Sequence, residues 1–578
     1  MFTISRSRLR RCGTALAVVM VLSACAGAQA MAQERTYEFN IPAEDTTRAL
    51  NDFSRQTGIQ ILFPYDVVAG RSAPAISGKF TSEEVLSKLL EGSGLEIAAR
   101  TEKSITLRPV AVGPKAESGT DGVTEVIVTG THLRGGNPTS PVHTITRTDI
   151  DRSGYSQIGD LMRSLPEDFS GGQNPGVIAA GSSNIGNQNI TNSSSINLRG
   201  LGTDATLVLL NGHRLSGDSF FQGADISTIP LSALQRVEVV TDGASAIYGS
   251  DAVAGVVNFM VRKNYTGTEL GATTGVTSQG GGEQENYHLL SGIARPNWYA
   301  LVAAEYARQG EITAGDRDMT AAAPPEEWIY RPQKRSSVFV SAGAQLNDKF
   351  QLTFDGLFAE RNAPTLTKRT ATAATTIGAV YTPSYSAALT ADIKLSETWN
   401  LRLTGVGSGS RNETWSGRTR AAASYTHRKN DVQYVEATAN GTLFELPTGD
   451  VKAAFGGGYR QEEYRNNLPG SSTYYTGGRR VSYGYAEILA PLVTPSESRV
   501  GLEALELSLS GRAEKYSDFG STANPRLGLR YVPFSDVTLR AAWAPHLRRL
   551  RFSRCIRRAP CISGTRPMSA TPAAVRRL

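Results

Sequence analysis

Between Gln33 and Ala544 the chain has no cysteine; its four, Cys12, Cys25, Cys555 and Cys561, lie near the two ends. A disulfide framework or a thiolate metal site is thereby excluded from the body of this 578-residue protein. Long apolar runs are missing too. Beyond the first thirty residues no uncharged apolar stretch approaches the ~20 residues that a membrane helix needs. Acid is missing from both ends: residues 1–32 carry four Arg and residues 545–578 nine, with no Asp or Glu in either. The overall charge of +7 therefore belongs to the ends, and the sequence between them carries a net −6. That balance argues against a nucleic-acid surface on the main body. Catalytic motifs are lacking as well. No HExxH, P-loop or GxSxG occurs, and His132, His143, His213, His288, His427 and His546 keep no ligand spacing. The expectation is a protein that is not an enzyme and holds no cofactor or metal.

What is present begins with a secretory pattern. Arg6, Arg8, Arg10 and Arg11 precede the apolar run ALAVVMVLSA and the small-residue stretch AQAMAQ. Residues 1–32 read as a signal peptide cut between Ala32 and Gln33, with LSAC at Leu22 to Cys25 as an alternative lipoprotein box.

Residues 33–109 form a pattern of their own. YEFNI and IQILF alternate as strands, and Ala49, Leu50 and Phe53 recur at helical spacing before Gly58. A second helix opens on a Thr81/Glu84 capping box, with Val85, Leu86, Leu89 and Leu90 on one side. This order resembles the short N-terminal domain shared by secretins and some TonB-dependent receptors. A Gly-, Pro- and Ser-containing linker, residues 110–123, follows. The β-prone EVIVTG stands directly after it, within residues 124–134.

From residue 266 to 544 the texture becomes alternating segments of about ten residues separated by polar turns. WYALVAAEYARQ, FQLTFDGLFAER and LELSLSGRAEKY are examples, and roughly thirteen such strands can be counted. With a secretory signal, this pattern predicts a mainly β fold: an antiparallel barrel of the outer membrane, one face to lipid and the other to a polar lumen. A soluble series of β-sandwiches is the competing expectation.

Between linker and barrel, residues 135–265 carry a third texture. Arg199-Gly200-Leu201-Gly202 supplies a close turn, and Asn211-Gly212 a two-residue hairpin after LVLL. Further on, RVEVVTDGASAIYGSDAVAGVVNFMV reads as strand, Asp242-Gly243 turn, short helix through Tyr248 to Gly249, tight passage at Gly255, and strand. Arg199, Arg214 and Glu238 read either as charge pairs holding this region in place or as solvated faces. The Asn-rich Ser182 to Asn197 reads as a polar loop.

NLRGLG, VLLNGHRL and IPLSALQRVEVVTDGASAIYGSDAVAGVVNF, in this order, resemble the α+β plug domain of TonB-dependent outer-membrane receptors, over Val126 to Arg262. The resemblance implies that the plug fills a barrel of about 22 strands. It makes Glu125, Val126, Ile127, Val128, Thr129 and Gly130 the Ton box, a segment that adds itself as a strand to the partner TonB. It also implies the ExbB/ExbD energy complex as partner, an inner-membrane anti-sigma regulator for the N-terminal domain, and a periplasmic setting for that domain. A ferric siderophore is the default ligand, with cobalamin, haem-like compounds and oligosaccharides as alternatives. A non-transporting sensor and a secretin-like pore are the rival readings. In PHLRRLRFSRCIRRAPCISGTRPMSATPAAVRRL, residues 545–578, alternation vanishes and acids are absent. Its texture reads as out of frame, and the expectation is a barrel of about 13 of 22 strands that fails to insert and transport.

Overall fold

The computed structural model describes residues 36–62, 72–90, 95–100, 104–109, 129–134, 139–169, 175, 189, 191–218, 223–242, 244–367, 374–467, 474–494, 501–518, 520–534 and 536–545. The chain divides into two units, Met1–Gly119 and Thr120–Leu578.

In the first unit, helix Thr46–Thr57 starts on Asp45, whose carboxylate accepts the Thr47 N–H, and stops at Gly58 in the left-handed region (φ 72°). Its Ala49, Leu50 and Phe53 are fully buried, with Phe53 stacked on Phe39 at 5.6 Å. Helix Ser82–Leu90 adds Val85, Leu86 and Leu89 to the same core, and Thr81 and Glu84 exchange hydrogen bonds at its start. Strand Thr36–Ile41 pairs antiparallel with Ile76–Thr81. Strand Ser104–Pro109 lies between Gln60–Leu62 and Leu95–Arg100. Each large side chain so buried contributes roughly 1.5–3 kcal/mol.

The second unit contains a five-stranded mixed sheet. Its order is His213–Arg214, Thr206–Leu210, Gly255–Val261, Leu234–Val240, Val142–Thr146, with only the second and third parallel. Asn211 (φ 51°) and Gly212 (φ 82°) both take positive φ, the two-residue turn that closes a hairpin without splaying it. Gly255 sits at φ 144°, and a Cβ there would lie 2.2 Å from the Val240 carbonyl oxygen. Only glycine lets these two strands approach so closely.

Around this sheet runs a second one of thirteen antiparallel strands, from Gly267–Gly275 to Val537–Trp543. Consecutive strands pair as hairpins, apart from an excursion at residues 310–332 that carries its own small pair, Ile312–Thr313 and Trp328–Tyr330. Alternation is plain on Gln333–Asn347: Arg335, Ser337, Phe339 and Ser341 are buried, while Val338 and Val340 are exposed. The apolar core of the small sheet, with Val237, Val239, Val257 and Phe259, continues into Leu290, Leu301, Phe339 and Leu357 of the large one. Among the described residues, the two end strands pair on one side only.

The wall departs from the sequence expectation in strand length. Strands run from the 7 residues of Val537–Trp543 to the 23 of Ser424–Leu446. The hydrocarbon core needs only about 9–11 tilted residues, whereas 23 residues extend roughly 75 Å at ~3.3 Å each. The excess rises beyond the lipid, where both faces meet polar surroundings. Apolar–polar alternation of the sequence fades there, so the extensions read as loops, although burial still alternates along them.

Candidate functional site

Of the segment expected to engage a partner, Thr129 and Gly130 lie among the described residues. Glu125, Val126, Ile127 and Val128 lie outside them, as do Ala32, Gln33 and Gly243. Residues 129–134 form a clasp with two jaws.

The first jaw belongs to the small sheet. Glu238, 3% exposed, accepts the Thr129 N–H at 2.8 Å and the Thr129 hydroxyl at 2.5 Å, while Arg236 Nε donates to its other oxygen at 2.6 Å. Asn258 Nδ2 donates to Thr129 Oγ1 at 3.0 Å. The Gly130 N–H donates to the Tyr248 hydroxyl at 3.2 Å. Burial raises the Tyr248 pKa, so the hydroxyl stays neutral.

The second jaw belongs to the wall. Thr131 Oγ1 and the His132 N–H donate to the two oxygens of Glu487 at 2.7 and 2.8 Å. The His132 ring stacks on Tyr485 with centroids 4.3 Å apart. Leu133 packs on Ala454 and Leu489, and Arg134 pairs with Asp392 at 3.0 Å. Charge-assisted hydrogen bonds of this kind are worth about 1.5–3 kcal/mol each.

The short helix Ser245–Tyr248 and the residues after it make an elbow docked on the wall. Gly249 (φ 96°) caps the helix where a Cβ would lie 2.6 Å from Glu514 Oε1. Ser250 donates its N–H to Glu514 at 3.3 Å and shares a 2.5 Å hydroxyl contact with Tyr516. Arg512 binds Glu514 at 2.9 Å and donates to the Ile247 carbonyl at 3.3 Å.

The remaining glycine-rich positions have structural partners. Arg199 (φ 54°) donates to the carbonyls of Ala254 and Val253 at 3.1 and 2.9 Å. Gly200 (φ 70°) passes under Phe169, and Gly202 (φ 111°) donates its N–H to Asn197 Oδ1 at 2.7 Å. Asn211 Nδ2 reaches Asp355 on the wall at 3.0 Å, and the Gly212 N–H donates to Asn258. Arg214 pairs with Asp251 at 2.6 Å and donates to the Tyr248 carbonyl. Arg199, Arg214 and Glu238 thus find these partners inside the small domain. Charge pairs across to the wall are made by Asp225 with Arg361, Asp251 with Arg460 and Asp242 with Arg526. Arg361 also binds the Thr191 carbonyl, fastening the described end of the Asn-rich stretch.

Glu487, Arg460, Glu462, Arg479 and Glu514 were not singled out by sequence reasoning. Their signal is phase: in YRQEEYR, Arg460, Glu462 and Tyr464 occupy alternate positions and all three are buried.

Apolar side chains on the outer face of the wall, buried charges on its inner face and a small domain held by those charges are the arrangement of a plugged β-barrel. The TonB-dependent receptor plug domain matches residues 136–256, and the TonB-dependent receptor-like β-barrel matches residues 330–554, together more than half of the chain. The chain belongs to the TonB-dependent receptors of the outer membrane. It is similar in fold to the ferripyoverdine receptor of Pseudomonas aeruginosa, at 16% identity and a TM-score of 0.52, over 88% of this chain and 70% of that one. The ferric enterobactin receptor of the same organism aligns at 17% identity and a TM-score of 0.56, over 73% and 64%. The siderophore receptor PirA of Acinetobacter baumannii aligns at 16% and 0.54, over 70% and 60%. None of the helices of the described residues is long and apolar enough to cross a membrane.

Proposed function

We propose that this chain takes up a ferric siderophore, with Glu125 to Gly130 acting as its Ton box. The observation that carries this reading is the clasp on residues 129–134: a pull on the chain ahead of Thr129 is delivered to Glu238 and Tyr248 of the plug and to Glu487 of the wall. A partner that adds the extended segment to its own sheet edge applies such a pull through main-chain hydrogen bonds. TonB, energised by ExbB/ExbD, supplies it. The ligand class is supported by the solved structures of similar fold, which are described as siderophore receptors.

A second role, signalling through an anti-sigma regulator, is favoured by the separate unit Met1–Gly119. The alignment with the ferripyoverdine receptor spans 88% of the chain, more than residues 120–578 alone supply, and so extends into that unit. The test is uptake of a panel of ferric siderophores in cells carrying the full chain or Val128→Pro. Proline removes a main-chain donor from the added strand, so uptake should stop while ligand binding persists. Undiminished uptake by Val128→Pro refutes the Ton-box assignment. Deletion of residues 37–109 should silence a reporter of induction and spare uptake.

A further inference from the structure

Six charged side chains alternate in sign from the outer rim of the wall to the Arg214 side of the elbow. The wall's connections at 296–297, 348–349 and 447–448 are short, whereas those at 276–283, 310–332 and 368–375 at the other end are long. Short turns face the periplasm in such barrels and long ones the exterior. Asp518, between strands Ala504–Tyr516 and Gly520–Phe534, lies at the exterior end.

Arg479 Nε donates to both Asp518 oxygens, at 3.0 and 2.9 Å. Arg479 Nη1 is 3.9 Å from Glu462, and Arg460 Nε donates to Glu462 at 2.9 Å. Arg460 Nη2 is 3.9 Å from Asp251, which Arg214 binds at 2.6 Å. Arg214 also donates to the Tyr248 carbonyl, and the Tyr248 hydroxyl accepts the Gly130 N–H. Three cations and three anions make the chain neutral. Arg460 and Arg479 are 2% and 0% exposed, so neither can exchange a lost partner for water.

We propose that this alternating chain couples the outer rim at Asp518 to the hold on Gly130, so that disturbing Asp518 loosens the tether. The proposal rests on the reading of Glu125 to Gly130 as the Ton box. Its mechanism is partner exchange. When Asp518 is taken away, buried Arg479 draws Glu462 closer; Arg460 then takes a larger share of Asp251, and Arg214 is left with less. Arg214 is the side chain that fastens the Tyr248 carbonyl, so the elbow carrying the Gly130 acceptor is released. A coupling of this kind between two sites amounts to about 5–150-fold in an equilibrium.

The test measures reaction of a water-soluble maleimide with Val126→Cys, in the full chain with its native cysteines replaced by serine. Asp518→Asn and Tyr248→Phe should each raise the labelling rate about fivefold or more, and the double substitution should add little beyond either. Glu463→Gln, which removes an outward-facing ion pair with Arg465, serves as control and should change nothing. Glu462→Gln breaks the chain at its middle and replaces Asp518→Asn should that variant fail to fold. If Tyr248→Phe raises labelling and the rim variants leave it at the parent rate, the clasp is local and the proposal is wrong. Equal increases from Glu463→Gln also overturn it. Failure of the Ton-box reading appears separately, as uptake that survives Val128→Pro while labelling still responds to Asp518.

Discussion

Glu487→Gln isolates the wall's hold on the tether. The carboxylate is 6% exposed and accepts two donors, the Thr131 hydroxyl at 2.7 Å and the His132 N–H at 2.8 Å. Glutamine is nearly isosteric, so the space the side chain fills changes little. It keeps one acceptor oxygen and turns an NH2 toward the second donor, leaving two donors face to face. The loss is one charge-assisted hydrogen bond plus part of another, about 2–3 kcal/mol. At about 1.4 kcal/mol per tenfold, local opening should become roughly 30–150 times more frequent. Backbone amide exchange over residues 129–134 reads this directly, because exchange of a hydrogen-bonded amide follows its local opening. The His132 amide should exchange faster by that factor in the variant, while the plug strand Gly255–Val261 keeps its protection. Exchange at His132 within about threefold of the parent refutes the assignment of Glu487 as an anchor.

Two more predictions test the plug itself. Gly255→Ala places a methyl 2.2 Å from the Val240 carbonyl oxygen, which is sheet backbone, and 2.7 Å from the Leu198 side chain; a loss of about 2–5 kcal/mol is expected, read as a lowered midpoint on thermal unfolding, and an unchanged midpoint refutes it. Asp168→Asn should stabilise the protein at neutral pH: burial pushes the Asp168 carboxyl up to about 6, one of its oxygens accepts the Asn197 N–H at 2.8 Å, and the other has no partner. Because its folded pKa is raised, stability is complete below the usual carboxylate range near 4 and falls as pH rises toward 6. The asparagine variant should gain about 1–2 kcal/mol at pH 7 and nothing at pH 4, and a gain independent of pH refutes the reasoning.

What could be read from the sequence was whatever is encoded locally. The Asn211-Gly212 turn, the Gly58 cap and the Thr81/Glu84 box each depend on neighbours a few residues away. The thirteen strands were legible because lipid enforces alternation, and their full lengths were not because polar extensions beyond lipid obey no such rule. The site residues divide along the same line. Gly249 stands out as a glycine at a helix end, but that its Cβ would strike Glu514 involves a residue 265 positions later. Glu487 is a lone acid in YGYAEILAP, and its donors lie more than 350 residues upstream.

The clasp and the charge chain place opposite demands on the plug. An apolar interface of the same size would hold it at least as well, since buried ion pairs often contribute less than hydrophobic packing of equal volume. Their advantage lies in how they fail. An apolar contact weakens gradually as it is uncovered, whereas a buried charge that loses its partner must find another at once, and here the next partner stands within 4 Å: Glu462 for Arg479, Asp251 for Arg460. Displacement at one end is therefore passed on rather than absorbed. The same logic explains the neutral residues at the tether end of the route. Gly130 gives its N–H to a hydroxyl rather than to a carboxylate, a bond of about 0.5–1.5 kcal/mol rather than about 1.5–3, so it is the weakest of the main-chain links in the clasp. Glu238 and Glu487, one on each side of it, hold the flanking residues with the stronger kind. A pull from the tether therefore loads the Thr129–Glu238 bonds first and meets its weakest main-chain link directly behind them at Gly130, and Tyr248, which takes part in both the clasp and the elbow, is the residue at which a disturbance from the elbow reaches that link.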